Sequence, residues 1–353
     1  MVKSYILKKS IRDFWERTPK TIKHSIKSIP TALESLKSRV TTFTGGLTLT
    51  CIFILFIVPV FTNNPFYLGV FIMAFIYSIY AASFDIMTGY TGLVSFGHAI
   101  FLGLSGYGTS AALRFMGFNW FSALLYGSII SVVIGVIVAL PSLRLKGPYL
   151  ALTLLSISMI FWALFMMGEL SPWLWGSQGI SRVFPLSSNA IIEYLVIFII
   201  MLLSLGVMKV LGNAKFGKIL NSIRDDEKGA EASGINTSKY KILAFMISAF
   251  FAGIAGGLFA MHNRGVDPGR FQPLYSFYPI IMVAVGGLAS ISGAALGAFI
   301  FVFLNEILIE IAPWAPLFVF SIILMLIIRF SERGIMRPAI ERLKDLWDLL
   351  IGR

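Results

Sequence analysis

"TGYTGLVSFGHAIF", residues 88–101, interrupts an otherwise apolar chain with glycine, threonine, serine and histidine. Glycine weakens a helix and histidine is poorly accommodated in lipid, so a membrane segment of this composition needs a physical reason. Two interpretations are open. The glycines let helices approach closely and His98 is a hydrogen-bonded interior residue. Alternatively, a discontinuous helix turns backbone groups and small polar side chains towards a cavity at membrane depth.

The composition around this stretch indicates a multi-pass membrane protein. Of the 353 residues, 57% are hydrophobic and 13% are charged, whereas a soluble domain carries about 25% charged residues. A helix that crosses a bilayer needs about 20 mostly apolar residues. The chain has ten apolar runs, at 45–63, 66–84, 94–113, 121–141, 149–168, 190–210, 242–262, 275–287, 291–311 and 314–330. They predict an all-α fold of about ten transmembrane helices.

The positions of the basic residues predict the orientation. All but four of the 29 Lys and Arg residues fall before the first run, after the last run or in alternate loops. The exceptions are Arg114, Arg182, Arg264 and Arg270. Cytosolic segments carry an excess of Lys and Arg, so both termini are expected in the cytosol and the protein in the cytoplasmic membrane.

The same patterns predict three regions. Residues 1–44 form a basic cytosolic leader, 45–330 the transmembrane domain, and 331–353 a cytosolic tail. The leader lacks the apolar core of a cleavable signal peptide. It is interpreted either as an interfacial helix on an anionic membrane surface or as a flexible segment that enforces topology.

A long polar loop, 211–240, lies between the sixth and seventh runs on the predicted cytosolic side. Ile219, Ile223 and Ala230 have the spacing of short helices with one apolar face. A connector between two spans needs only a few residues. The loop is therefore a docking surface, or else a solvated segment in which acids balance bases.

The sequence gives no indication of catalysis, and neither a metal nor a cofactor is expected. His24, His98 and His262 lack the spacing of a metal site, and no Gly-rich loop ends in Gly-Lys-Ser/Thr. Acidic residues in or beside the runs are few and lie near predicted membrane edges: Asp85, Glu193, Glu306 and Glu310. Their scarcity disfavours, without excluding, an ion-coupled carrier.

Five motifs in order resemble the LivM-type permease subunit of branched-chain amino acid ABC importers. They are "GYTGLVSFGHAIFLGLSGYGT", "LRLKGPYLALTLLSIS", "GSQGI", "SIRDDEKGAEASGINTSKYKILAFMISAFFAGIAGGLFA" and "VGGLASISGAALGA". The resemblance runs from about residue 86 to residue 329. It implies an ABC importer permease fold that works with a homologous LivH-like permease, two cytosolic ATPase subunits and an external substrate-binding protein.

The resemblance also assigns a role to the cytosolic loop. Residues 224–234 occupy the position of a coupling helix that enters a groove on the ATPase. The residues expected at that contact are Arg224, Asp225, Asp226, Glu227, Glu231 and Gly234. The segment "EKGAEASG" departs from the stricter pattern of better-known importers, so the contacting residues are inferred from position alone.

Two further groups of residues follow from the resemblance. An amino acid crosses as a zwitterion, so its pathway should be polar without strong net charge. Tyr90, Thr91, Ser95 and His98 are the predicted pathway residues, with Gly89, Gly92 and Gly97 leaving room beside them. In the outer loop, Gly176, Gln178 and Gly179 match the family's glycine-rich turn and are expected to help receive the binding protein or its cargo.

The predicted function is import of branched-chain amino acids, powered by partner ATPases. A permease for urea or short amides shares these motifs and is the alternative within the class. An ion-coupled secondary carrier and a membrane enzyme are rivals from other classes.

Overall fold

The structure is a computed structural model that describes residues 43–62, 64–142, 145, 147–169, 171 and 175–330. Apart from residues 43 and 44, the predicted leader (1–44) and the whole predicted tail (331–353) lie outside the described residues. Both therefore stay predictions.

The described chain is mostly helical. Its helices are α1 (Phe43–Phe61), α2 (Pro65–Thr91), α3 (Ala99–Phe115), α4 (Trp120–Ser142), α5 (Pro148–Met166), α6 (Ala190–Asn213), α7 (Lys215–Asp225), α8 (Glu227–Ala232), α9 (Thr237–His262), α10 (Pro273–Gly286), α11 (Ile291–Ile311) and α12 (Ala315–Phe330). Two short strands, β1 (Ile180–Ser181) and β2 (Gly265–Val266), pair antiparallel.

Six helices in the described residues are long and apolar enough to cross a membrane: α2, α4, α5, α6, α9 and α11. This confirms a helical integral membrane protein. Each of the ten predicted apolar runs overlaps a helix. Three of the helices outside these six, α3, α10 and α12, are shorter than all six, with 17, 14 and 16 residues. The count of ten crossings and the cytosolic termini stay predictions.

The boundary between α2 and α3 differs from the prediction. The second run was expected to end at residue 84, yet α2 continues to Thr91, and α3 begins at Ala99 instead of residue 94. The polar residues Asp85 and Thr91 resemble the end of a span, but both are buried inside the bundle. Burial against other helices extends α2 beyond what hydropathy predicts.

Asparagine and serine side chains fix where several helices begin. Asn64, Asn189 and Asn236 accept hydrogen bonds from backbone N–H groups in the first turns of α2, α6 and α9, at 2.9, 2.9 and 3.0 Å. Ser290 does the same for α11 at 3.2 Å. Such caps satisfy N–H groups that have no partner within the helix.

The centre of the bundle is formed by α9, which packs against α2, α3 and α4. Small residues allow these backbones to approach closely. A Cβ atom placed on Gly253 would lie 2.8 Å from Cα of Ser128 on α4, and one on Gly256 would lie 2.9 Å from Cα of Leu102 on α3. Ser105 on α3 donates a hydrogen bond to the carbonyl of Gly253 at 2.5 Å. Lipid supplies no hydrophobic driving force between helices, so close backbone packing and hydrogen bonds hold them together.

Candidate functional site

The predicted break in the helix is present at residues 92–98. Gly92 ends α2 in the left-handed conformation (φ 73°), and its N–H donates to the carbonyl of Thr88 at 3.0 Å. The hydroxyl of Thr88 donates to the carbonyl of Leu93 at 3.0 Å, and the hydroxyl of Thr91 accepts from the Leu93 N–H at 3.2 Å. Backbone groups at the end of a helix have no intrahelical partner, and here threonine side chains bond to them.

His98 closes the break and is fully buried. Its Nε2 lies 3.0 Å from the hydroxyl oxygen of Ser83, whose single hydrogen is donated to the carbonyl of Tyr80 at 2.7 Å. With that hydrogen on the Tyr80 carbonyl, the tautomer that fits the contact has its proton on Nε2, which leaves Nδ1 as an acceptor. Within the described part of the chain, Nδ1 is buried with no hydrogen-bond partner. The ring packs against Tyr80, Phe84 and Phe101, with centroids 4.9, 5.3 and 5.4 Å away.

The four predicted pathway residues are close together in the chain but have different neighbours. Tyr90, Thr91, Ser95 and His98 are all buried, with exposures of 8%, 3%, 1% and 0%. Tyr90 packs against α6, where a Cβ atom on Gly212 would lie 2.6 Å from its hydroxyl oxygen. In this conformation protein encloses all four, and their role in a pathway stays a prediction.

Gly89 in α2, and Gly92 and Gly97 in the break, each allow another backbone or side chain to approach. A Cβ atom on Gly89 would overlap the Asp85 carboxylate and lie 2.6 Å from the backbone nitrogen of Ala289, between α10 and α11. A Cβ atom on Gly97 would meet the carbonyl group of Leu154 on α5. The structure thus gives the glycines of this stretch a packing role, which is the first of the two interpretations.

The long polar loop is folded, with α7 and α8 packed on the bundle. Gly217, Leu220 and Ile223 on α7 and Ala230 on α8 are buried. The apolar side of these two short helices therefore packs on the rest of the protein. A folded loop presents a fixed outer surface, as docking requires, whereas a flexible solvated segment does not.

The predicted coupling residues fall into two groups. Glu227 accepts a hydrogen bond from Lys241 at 2.6 Å, and Glu231 accepts one from Thr237 at 2.7 Å. These two carboxylates hold α8 against α9.

The other four coupling residues are Arg224, Asp225, Asp226 and Gly234, and all are exposed. The side chain of Asp225 is 68% exposed. Gly234 has a φ of 83° and follows α8, with its N–H donating to the carbonyl of Glu231 at 2.9 Å. Arg224 also reaches inward, where its guanidinium donates to the carbonyl of Gly89 at 2.8 Å.

The outer loop forms a small structured cap. Gly176 and Gln178 lie in a single 3-10 turn, with Gly176 buried and Gln178 exposed. Gly179 has a φ of 61°, and a Cβ atom there would meet the carbonyl oxygen of Val266 on β2. The two glycines serve the turn and the strand pair, so Gln178 is the predicted residue whose side chain is available to a partner.

Phe271 anchors this cap in the bundle. It is fully buried between α3 and α5, with its ring 5.9 Å from that of Tyr107, 5.9 Å from that of Phe161 and 4.8 Å from that of Phe165. Its carbonyl accepts a hydrogen bond from Ser158 at 2.7 Å. This aromatic cluster packs the loop that carries Phe271 against α3 and α5.

Several charged residues were not predicted as site residues. Arg270 forms an ion pair with Asp267 at 2.9 Å and lies over the ring of Phe259 at 4.6 Å. Burial acts to lower the pKa of Arg270, but the neighbouring Tyr275 and Asp267 outweigh it and raise the pKa above its usual value. From the sequence alone, Arg270 is only one of the four basic residues outside the predicted cytosolic segments.

A second pair joins two helices. His262 at the end of α9 lies 3.0 Å from the carboxylate of Glu193 in the first turn of α6. The two residues are 69 positions apart, so no local pattern reveals the contact. Among the described residues, no group of three or more His, Cys, Asp or Glu could hold a metal ion.

Comparison with known proteins identifies similar sequences. The profile of the family described as "Branched-chain amino acid transport system / permease component" matches residues 66–329. The high-affinity branched-chain amino acid transport system permease protein LivM of Salmonella typhimurium is 25% identical over 302 residues, which are 77% of this chain and 70% of that protein. The corresponding LivM of Escherichia coli is 24% identical over the same shares.

Two further similarities extend the comparison. A probable LivM of Methanocaldococcus jannaschii is 26% identical over 74% of this chain and 90% of its own length. The autoinducer 2 import system permease protein LsrC of Yersinia pseudotuberculosis is 29% identical, but over only 40% of this chain. No solved structure matches the chain.

Proposed function

The chain belongs to the family of branched-chain amino acid transport system permease components, and from this premise we propose that it moves branched-chain amino acids across the cytoplasmic membrane as the permease subunit of an ATP-driven importer. Members of this family are transport subunits and not enzymes. The substrate assignment rests on the LivM relatives, which cover 74–77% of this chain. The similarity to LsrC covers about half as much of the chain and carries less weight.

The importer has further subunits. A homologous LivH-like permease completes the membrane unit, two ATPase subunits bind on the cytosolic side, and an external binding protein delivers the substrate. The folded loop of α7 and α8 supports the ATPase contact, because Asp225 and Asp226 are exposed on its surface. Exposed Gln178 on the outer cap supports the contact with the binding protein or its cargo.

Competition during uptake tests the substrate. The complete importer is reconstituted in vesicles, and uptake of labelled leucine is measured against an excess of valine, urea or acetamide. We expect valine to compete and urea and acetamide to have no effect. Competition by urea or acetamide, with none by valine, would transfer the assignment to the urea and short-amide class.

The proposed topology has ten crossings and both termini in the cytosol. It predicts that Lys228→Cys reacts with a membrane-impermeant thiol reagent only from the cytosolic side, and Ser177→Cys only from outside. Cys51 is the single native cysteine, so Cys51→Ala provides a background without thiols. Labelling of both positions from the same side would contradict the single crossing by α6 between them.

We further propose that Ser95 and His98 contact the substrate in another conformation of the transport cycle. The buried Nδ1 of His98, an acceptor with no partner among the described residues, supports this role. Such an atom costs free energy in the enclosed state, and a substrate ammonium group is a suitable donor for it.

Replacement of the imidazole tests the role. We expect His98→Leu to lower uptake per assembled complex, and also to destabilise the fold by about 1–3 kcal/mol because the hydrogen bond to Ser83 is lost. Ser83→Ala is the matched control, since it removes the same hydrogen bond and keeps the imidazole. Equal uptake per complex for His98→Leu and the unmodified protein would remove His98 from the pathway.

A further inference from the structure

Three segments that are far apart in the sequence meet at the last two turns of α2. The guanidinium of Arg224, at the end of α7, donates a hydrogen bond to the carbonyl of Gly89 at 2.8 Å. The carboxylate of Asp85 accepts a hydrogen bond from the backbone N–H of Ala289 at 2.8 Å, in the turn between α10 and α11. The end of α2 is thus held by both the cytosolic loop and the α10–α11 turn.

The contact with Arg224 depends on the glycine that ends α2. A Cβ atom on Gly92 would lie 2.9 Å from Cγ and 3.7 Å from Cα of Arg224, so the arginine stem lies directly over this position. Asp225 accepts from the same guanidinium at 3.1 Å and orients it. The arginine is therefore held at both ends: its stem on Gly92 and its charged group between Asp225 and the Gly89 carbonyl.

The contact with Asp85 holds a backbone conformation that is unfavourable for its residue. Ala289 has a φ of 55°, in the left-handed region that L-residues with a side chain adopt rarely. Asp85 is fully buried, and its second carboxylate oxygen has no hydrogen-bond partner among the described residues. A buried polar side chain is costly unless it is hydrogen-bonded, and the bond from the Ala289 N–H offsets part of that cost. The same bond joins α2 to the α10–α11 turn.

We propose that Arg224 and Asp85 are positioning residues that transmit the movement of the cytosolic loop to α2 and to the α10–α11 turn. The proposal rests on the proposed function, in which ATPase subunits move α7 and α8. When α7 is displaced, Arg224 pulls on the end of α2 at Gly89. Asp85 lies one helical turn earlier on α2 and passes the displacement to Ala289 and the start of α11.

The ratio of substrate uptake to ATP hydrolysis, measured in the same vesicles, tests the link. The complete importer is used, and the unmodified complex must first show ATP-dependent uptake; its failure to do so would reject the proposed function and not this proposal. For Arg224→Met and for Asp85→Ala we expect the ratio to fall about tenfold, as loss of one hydrogen bond allows. ATP hydrolysis should continue in Asp85→Ala, since Asp85 lies outside the predicted ATPase contact, and in Arg224→Met hydrolysis should fall by less than uptake does.

The same ratio in three further variants shows whether these residues transmit movement or only pack the helices together. Asp85→Asn keeps an oxygen acceptor for the Ala289 N–H, so its ratio should stay near that of the unmodified protein. Arg224→Met combined with Asp85→Ala should lose no more than either change alone, because both interrupt one link. Ser131→Ala removes a buried hydrogen bond to the carbonyl of Phe101, at 2.8 Å, outside the link, and should leave the ratio unchanged.

Two outcomes would overturn the proposal. The first is a proportional fall of uptake and hydrolysis in Arg224→Met, which would mean that Arg224 serves only to bind the ATPase. The second is an unchanged ratio in both single variants. If Arg224→Met does not assemble, Arg224→Lys takes its place. It keeps the charge and stem but lacks the planar guanidinium, and an unchanged ratio in this variant would count equally against the link.

Discussion

Gly97→Val should remove most of the folded protein from the membrane. A Cβ atom at Gly97 would lie 2.9 Å from the carbonyl carbon and 3.0 Å from the Cβ atom of Leu154, and it would also meet the carbonyl oxygen. These are mainly backbone atoms of α5, which yield only if the helix shifts. Overpacking of this kind costs about 1–3 kcal/mol, and the upper end is expected where backbone opposes backbone.

The amount of folded subunit and its thermal midpoint in detergent measure this effect. Gly206→Val is the matched control, because Gly206 is an exposed residue of α6 with no atom within 4 Å of the position of a Cβ atom. We expect the control to fold as the unmodified protein does. Equal amounts of folded Gly97→Val and Gly206→Val would contradict the close packing of the broken segment on α5.

Local patterns in the sequence predict much of this fold. Apolar runs locate the membrane helices because a span of lipid imposes length and hydropathy on each helix separately. The apolar spacing of Ile223 and Ala230 correctly indicates short amphipathic helices, and both residues are buried. The glycines, serine and histidine of residues 88–101 indicate an interruption there, because the composition is unfavourable for a helix in lipid. The chain is non-helical at residues 92–98, although the third run was expected to begin at residue 94.

Contacts between distant segments lie beyond such patterns. Gly89 needs its small size because Ala289 approaches it, and these residues are 200 positions apart in the chain. The end of α2 was misplaced for the same reason: Asp85 is polar in the sequence, but Ala289 provides its partner inside the bundle. Glu227 and Glu231 are predicted docking residues, and their hydrogen bonds with Lys241 and Thr237 are further contacts that no local pattern predicts.

Substrate uptake is expected to depend entirely on ATP and on the partner ATPases. The sequence contains no Gly-rich loop that ends in Gly-Lys-Ser/Thr, so this chain has no phosphate-binding loop of its own. The purified subunit should therefore hydrolyse no ATP, and hydrolysis should appear when the ATPase subunits are added. Because the proposed role of the chain is a path and a docking loop without an energy source, removal of ATP should abolish accumulation and not merely slow it.

Uptake of labelled leucine into vesicles that contain the complete importer tests this claim most directly. ATP is enclosed on the side that the ATPases face, and the binding protein is supplied on the other. We predict accumulation with ATP, none without ATP, and no effect of collapsing proton and sodium gradients. Accumulation by this chain alone, driven by an ion gradient in the absence of ATP and ATPase subunits, would contradict the account and identify an ion-coupled carrier.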